Sequence, residues 1–262
     1  MTGNATALSD GIVDGVEYTV LGSGGPVTLF AHGLGGGQSE TRPLAAKTGG
    51  TRVLLSFRGH GGSAPLDDGW DYDVLADDVR AVADRVGATR CVGLSLGGGA
   101  LLRVLRDEPD RFERLAFVLP AALDATRSDG ATVRLRSLGH AIDRGDAAEA
   151  TALLMAEVPE ALRERRGVSL LLGRRAADLV TRPAPVPRGE DRPLSDRSVL
   201  QRITAPTLVI GQEADPLHPI ALARELAELL PNASLLELPE GGVFWTDAAR
   251  AQLALADHLE PS

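Results

Sequence analysis

Residues Gly93-Leu94-Ser95-Leu96-Gly97-Gly98 set one hydroxyl between glycines, at the end of the apolar run "TRCVGLS" (89–95) and just before the helical pattern "GGGALLRVLRDEP" (97–109). A sharp strand-to-helix turn of this G-x-S-x-G kind exposes its serine. It needs glycine two positions away on either side, because larger side chains would collide in the turn. The first N–H groups of the following helix point at the same spot, so an oxygen that becomes negative there meets donors, led by the Leu96 N–H. The chemistry on offer is attack by Ser95 on a carbonyl, provided that a base takes its proton. The same pattern also describes a glycine-rich turn with no chemistry, so the rest of the chain has to decide.

Five histidines are available as that base. His218 lies three residues after Asp215 in "VIGQEADPLHP" (209–219), on a loop expected at the edge of the sheet that also carries Ser95. It is the preferred base, with Asp215 beside it; the alternatives are a loop histidine that merely caps the next helix and an Asp-Pro turn. His32, in "FAHGLGGG" (30–37), supports its loop or transfers protons; His60 reads as structural; His140 lies in a helical region that could reach over the site; His258 is expected to face solvent.

The elements that must position these groups alternate. Six Val- and Leu-rich runs read as strands: 26–32, 52–57, 89–95, 114–120, 206–211 and 233–239. Asp14-Gly15 is the expected turn of an early hairpin. Helical patterns over 71–87, 97–109 and 219–231 lie between the strands, the first with Val74, Leu75, Val79, Val82 and Val86 on one face. The expected architecture is α/β, a mostly parallel central β-sheet flanked by helices. Residues 123–202 break the rhythm and read as an inserted helical cap ending in a proline-rich stretch, with residues 1–122 and 203–262 as the core.

Composition narrows the partners. The chain has 262 residues and a net charge of −9, which disfavours nucleic acid and anionic membrane. No apolar run approaches the roughly 20 residues that span a bilayer, and the start lacks a secretory pattern. Cys91 is the single cysteine, so a cytoplasmic setting is expected. No metal-ligand spacing and no phosphate loop is present, so no cofactor is expected, and a small-molecule substrate is the expected partner.

Taken with "FAHGLGGG", "SFRGHGGS" (56–63) and "VIGQEADPLHP", the serine stretch resembles the α/β-hydrolase fold family, in its capped, actinobacterial small-molecule form. The resemblance runs through nearly the whole chain. It implies a nucleophile elbow at Ser95, a catalytic acid at Asp215, and an oxyanion hole made by the N–H groups of Leu34 and Leu96, with His32 and Gly33 supporting it. Two positions depart from the family pattern. Ser56 stands where an Asp is usual, and "LPEGGVFWTDAAR" (238–250) puts Val243 where the catalytic histidine belongs. Valine cannot move a proton, so the expectation is a small-molecule ester or thioester hydrolase with an atypical base and a degenerate triad. A lyase, cyclase or isomerase of specialised metabolism, or a ligand-binding pseudo-hydrolase, stays open. Trp245 is expected to pack, and Asp247 to cap the last helix. Val243→His is expected to raise esterase activity if Ser95 and Asp215 keep the family geometry.

Overall fold

A computed structural model describes residues 8–66, 69–125, 130–182 and 192–260. Within them an eight-stranded sheet forms, from β1 (Gly11–Val13), β2 (Val16–Leu21), β3 (Val27–Ala31), β4 (Thr51–Ser56), β5 (Arg90–Leu94), β6 (Arg114–Val118), β7 (Thr207–Gln212) and β8 (Ala233–Leu238). The spatial order is β1-β2-β4-β3-β5-β6-β7-β8. β1 pairs antiparallel with β2 and β2 with β4; every other pair is parallel. All six expected strands and the early hairpin are present. Asp14 (φ 49°) and Gly15 (φ 80°) both lie in the left-handed region that a two-residue hairpin turn requires.

Strand order reverses at β3, whose neighbours are β4 and β5. Loops leaving the carboxyl ends of β3 and β5 therefore part and leave a crevice, the usual position of a binding site in such sheets. Each inner strand is buried on both faces, which is why its sequence lacks polar alternation. Leu29, Cys91, Leu115 and Phe117 point to one face; Phe30, Leu54, Val92 and Ala116 point to the other. The first face is covered by α2 (Tyr72–Val86), α3 (Leu96–Asp107) and α8 (Ile220–Leu229), and the second by α1 (Gln38–Leu44) and α9 (Ala248–Leu259). α2 starts where the Asp71 carboxylate accepts the Val74 N–H at 2.9 Å.

Between β6 and β7 come α4 (Gly130–Asp143), α5 (Ala147–Met155), α6 (Glu160–Arg163) and α7 (Arg166–Thr181). Ala150, Leu154, Val168, Leu172 and Ala176 build a separate apolar cluster, with Trp245 packed against it. Leu194 and Leu200, also inside the expected insertion, pack instead with the main core. Residues 183–191, half of the proline-rich stretch, lie outside the described residues. Among the described residues no helix is long and apolar enough to cross a membrane.

Two expectations from sequence need correction. His258 is half-buried rather than solvent-facing: its Nε2 lies 2.9 Å from the Leu115 carbonyl oxygen, and burial lowers its pKa. Asp247 occupies the position before α9 but makes no side-chain cap bond; its carboxylate instead lies 3.7 Å from Arg250. The missing acid at Ser56 has a local substitute. Glu17 of β2 reaches across, accepting the Ser56 hydroxyl at 3.0 Å and the Gly62 N–H at 2.9 Å.

Candidate active site

Ser95 sits between β5 and α3 with φ 49° and ψ −110°, a conformation that costs a non-glycine residue free energy and persists only where the surroundings impose it. The surroundings here are backbone. A Cβ on Gly93 would lie 2.6 Å from the Gly98 Cα, and one on Gly97 would lie 2.4 Å from the Ala31 carbonyl oxygen. Glycine at these two positions lets the elbow press onto β3. The Gly97 N–H then donates to the His32 carbonyl at 3.1 Å, tying the elbow to the loop after β3.

The acid and the imidazole come from the loop after β7. Asp215 Oδ1 accepts the N–H groups of Leu217 (2.8 Å) and His218 (3.0 Å), which curls the chain into a tight turn. That turn brings the His218 ring back over the same carboxylate, with Nδ1 2.9 Å from Oδ2. His218 Nε2 is 2.9 Å from Ser95 Oγ. Because Asp215 is an acceptor, Nδ1 carries the proton and Nε2 is free to accept the Ser95 hydroxyl. Pro219 and Ile220 begin α8 directly afterwards with no side-chain cap, so His218 is not a helix cap. Burial pushes the Asp215 carboxyl up, but hydrogen bonds and charge from His218, with the Leu217 N–H and Gln212, outweigh it and hold the pKa below the usual carboxylate range.

Gln212, at the end of β7, was not singled out from the sequence. Its Nε2 donates to Asp215 Oδ2 at 2.8 Å and its Oε1 accepts the Val243 N–H at 3.1 Å. The signal was there: an amide closing an otherwise apolar strand. Val243 is buried against the core and lines the same cavity without a polar side-chain atom to offer.

His32 and His60 support the loop after β3. His32 is fully buried; its Nδ1 lies 2.7 Å from the Gly33 carbonyl oxygen and its Nε2 accepts the Phe57 N–H at 3.0 Å. Burial, with the nearby His60 adding to it, lowers its pKa to about 3, so the ring is neutral. His60 Nε2 accepts the Gly35 N–H at 3.2 Å. These bonds occupy both rings, and among the described residues neither ring hydrogen-bonds to Ser95. Within this loop and the elbow, the Leu34 and Leu96 N–H groups have no protein acceptor among the described residues, and both residues line the cavity beside Ser95. Gly33 is close enough that a Cβ there would stand 3.5 Å from Ser95 Cβ.

The cavity measures about 660 Å³ and lies between the sheet edge and the helices α4, α5 and α7. Its wall is largely apolar, with Leu154, Val158, Leu172, Phe244 and Trp245 among the lining residues. Ser95, Leu119 and Ala214, three of the four non-glycine residues with positive φ among those described, all line it. Strained backbone thus gathers at this one place. His140 is on α4 and is not among the lining residues. Among the described residues no cluster of His, Cys, Asp and Glu could hold a metal ion.

The sequence profile of the alpha/beta hydrolase family matches residues 28–256. A protein named "Putative carbamate hydrolase RutD" from Caulobacter sp. is 31% identical over 262 residues, covering 92% of this chain and 94% of its own length. The chain belongs to the alpha/beta hydrolase family. Solved members share its fold. The esterase RhEst1 from Rhodococcus sp. superimposes with a TM-score of 0.75 at 20% identity, covering 96% of this chain and 97% of its own. The enol-lactonase from Burkholderia xenovorans does so at 0.72 and 21% identity, covering 95% and 99%. At such identities the likeness concerns the alpha/beta hydrolase fold alone.

Proposed function

We propose that this alpha/beta hydrolase cleaves a small-molecule ester or thioester through an acyl-enzyme on Ser95. The observation that carries the reading is the unbroken string from Ser95 Oγ to His218 Nε2 (2.9 Å) and from His218 Nδ1 to Asp215 Oδ2 (2.9 Å), opening into the cavity. His218 takes the Ser95 proton as Oγ attacks the carbonyl carbon. Asp215 holds the ring in the correct tautomer and stabilises the imidazolium. The Leu34 and Leu96 N–H groups receive the oxyanion; one such donor is worth about 3 kcal/mol in sites of this kind. The imidazolium then protonates the leaving oxygen or sulfur, and water, activated by the same ring, releases the acid and regenerates Ser95.

On this reading the triad is complete but relocated. An imidazole three residues after the acid serves in place of one near Val243, and the short Asp215 turn makes that reach available. The helices α4–α7 act as a lid whose apolar inner face selects the acyl or alcohol portion. The name of the relative at 31% identity, a putative carbamate hydrolase, fits hydrolysis at an acyl-type carbonyl.

The experiment is turnover of short-chain aryl esters, combined with labelling by a serine-directed phosphonate and mass spectrometry of the adduct. The adduct is expected on Ser95, with both label and turnover lost in Ser95→Ala by roughly 10⁴-fold or more. Unchanged turnover in Ser95→Ala refutes the mechanism. Turnover that incorporates no labelled oxygen from water into the product acid favours a lyase or isomerase instead.

A further inference from the structure

The loop that bears Leu34 closes around a carboxylate. Glu40, in the first turn of α1, accepts the Gly33 N–H at 3.0 Å through Oε2. The glycines of the loop leave room for it: a Cβ on Gly33 would lie 3.2 Å from Oε2, and one on Gly36 only 2.1 Å away. Glu40 is largely buried, with 16% of its side chain exposed, and it lines the catalytic cavity. Its charge is matched from the opposite wall. Arg175 of α7 places Nη2 3.2 Å from Glu40 Oε1 and lines the same cavity.

A carboxylate in this position is double-edged. It fixes the His32–Gly33 peptide, the one before the peptide that carries the Leu34 N–H, and so narrows the directions that N–H can take. It also sets a negative charge one residue from the donor that must receive another negative charge in the transition state. For two like charges ~6 Å apart at an effective dielectric of ~20, such repulsion alone slows a reaction roughly a hundredfold. A guanidinium against the far oxygen removes most of it.

We propose that Glu40 is a positioning residue for the oxyanion loop and that Arg175 is its counter-charge, so that docking of α7 on the loop sets the activity of Ser95. This rests on the acyl-enzyme reading above. It makes the lid part of the catalytic electrostatics as well as the wall of the pocket.

The test is a double-mutant cycle read by the rate of Ser95 modification with an aryl phosphonate, whose oxygen occupies the oxyanion site. Arg175→Gln leaves the Glu40 charge unpaired and should slow the limiting rate roughly thirtyfold. Glu40→Gln keeps an acceptor for Gly33 and removes the charge; it should slow the rate roughly threefold. The double variant should match Glu40→Gln, and so run about tenfold faster than Arg175→Gln alone. Arg175→Lys, which keeps the charge, should lose less than Arg175→Gln, and thermal melting establishes that each variant is folded. Multiplicative losses in the double variant overturn the proposal. So does an Arg175→Gln effect confined to half-saturation and untouched by Glu40→Gln, which would mean that Arg175 binds the reagent itself. Wild-type protein that takes no label overturns the Ser95 reading and this one with it, whereas a labelled wild type with no rescue overturns this one alone.

Discussion

Replacing His32 with glutamine should flatten the acid side of the stability curve. In the folded protein the His32 ring is wholly buried, one nitrogen against the Gly33 carbonyl and the other accepting the Phe57 N–H. A second proton would place a charge in the core and set two donors face to face. Its folded pKa is therefore about 3, against 6.5 unperturbed. Between these values the unfolded chain holds more protons than the folded one, so stability rises with pH in that window and is lost as pH falls through it. At ~1.4 kcal/mol per pKa unit, acidification to about pH 4.5 costs about 3 kcal/mol through this one ring, and complete titration about 5 kcal/mol. His60 and His258 are also lowered, and Asp215 is lowered as well, so they act in the same direction; Asp78 and Glu157 are raised by burial and oppose it. Comparing variant with wild type removes these contributions. The assay is urea denaturation at about pH 7 and about pH 4.5. His32→Gln should be less stable at neutral pH by roughly 1–3 kcal/mol, yet lose about 3 kcal/mol less than wild type on acidification. An equal acid loss in both proteins refutes the argument.

Two further substitutions probe the elbow and the base proposed at His218. Gly97→Ala drives a Cβ to 2.4 Å from the Ala31 backbone oxygen, which cannot swing aside, so it should destabilise by roughly 2–4 kcal/mol and retract Ser95 from the cavity, read as a fall in melting temperature together with slower phosphonate labelling. Val243→His now carries the opposite expectation to the one drawn from sequence. With Ser95 Oγ already bonded to His218, a second imidazole in the buried Val243 position should give no gain in esterase rate and cost roughly 1–3 kcal/mol, measured by thermal melting alongside turnover.

Most of the fold was legible because burial on two faces writes itself as unbroken Val and Leu runs, and because Asp14-Gly15, Asp71 and Gly87 mark ends with simple backbone chemistry. Ser95 was legible for the same reason: only glycine fits at 93 and 97. What the sequence did not carry was reach. Asp215 and His218 are three residues apart, and spacing alone does not say that one carboxylate oxygen will gather two amides while the other holds the ring. His258 was misplaced because the helical period does not reveal that the end of α9 packs against β6. Glu40 and Arg175 meet across 135 positions of sequence, and no local pattern marks them, whereas Gln212 was marked only as an amide closing an apolar strand.

The central claim, that His218 supplies the base the family usually draws from near Val243, is tested most directly by the rate of Ser95 phosphonylation in His218→Ala. Loss of the imidazole bonded to Oγ should slow modification by roughly 10³- to 10⁴-fold while the protein keeps its melting transition. A folded His218→Ala protein that labels within about threefold of wild type would contradict the account.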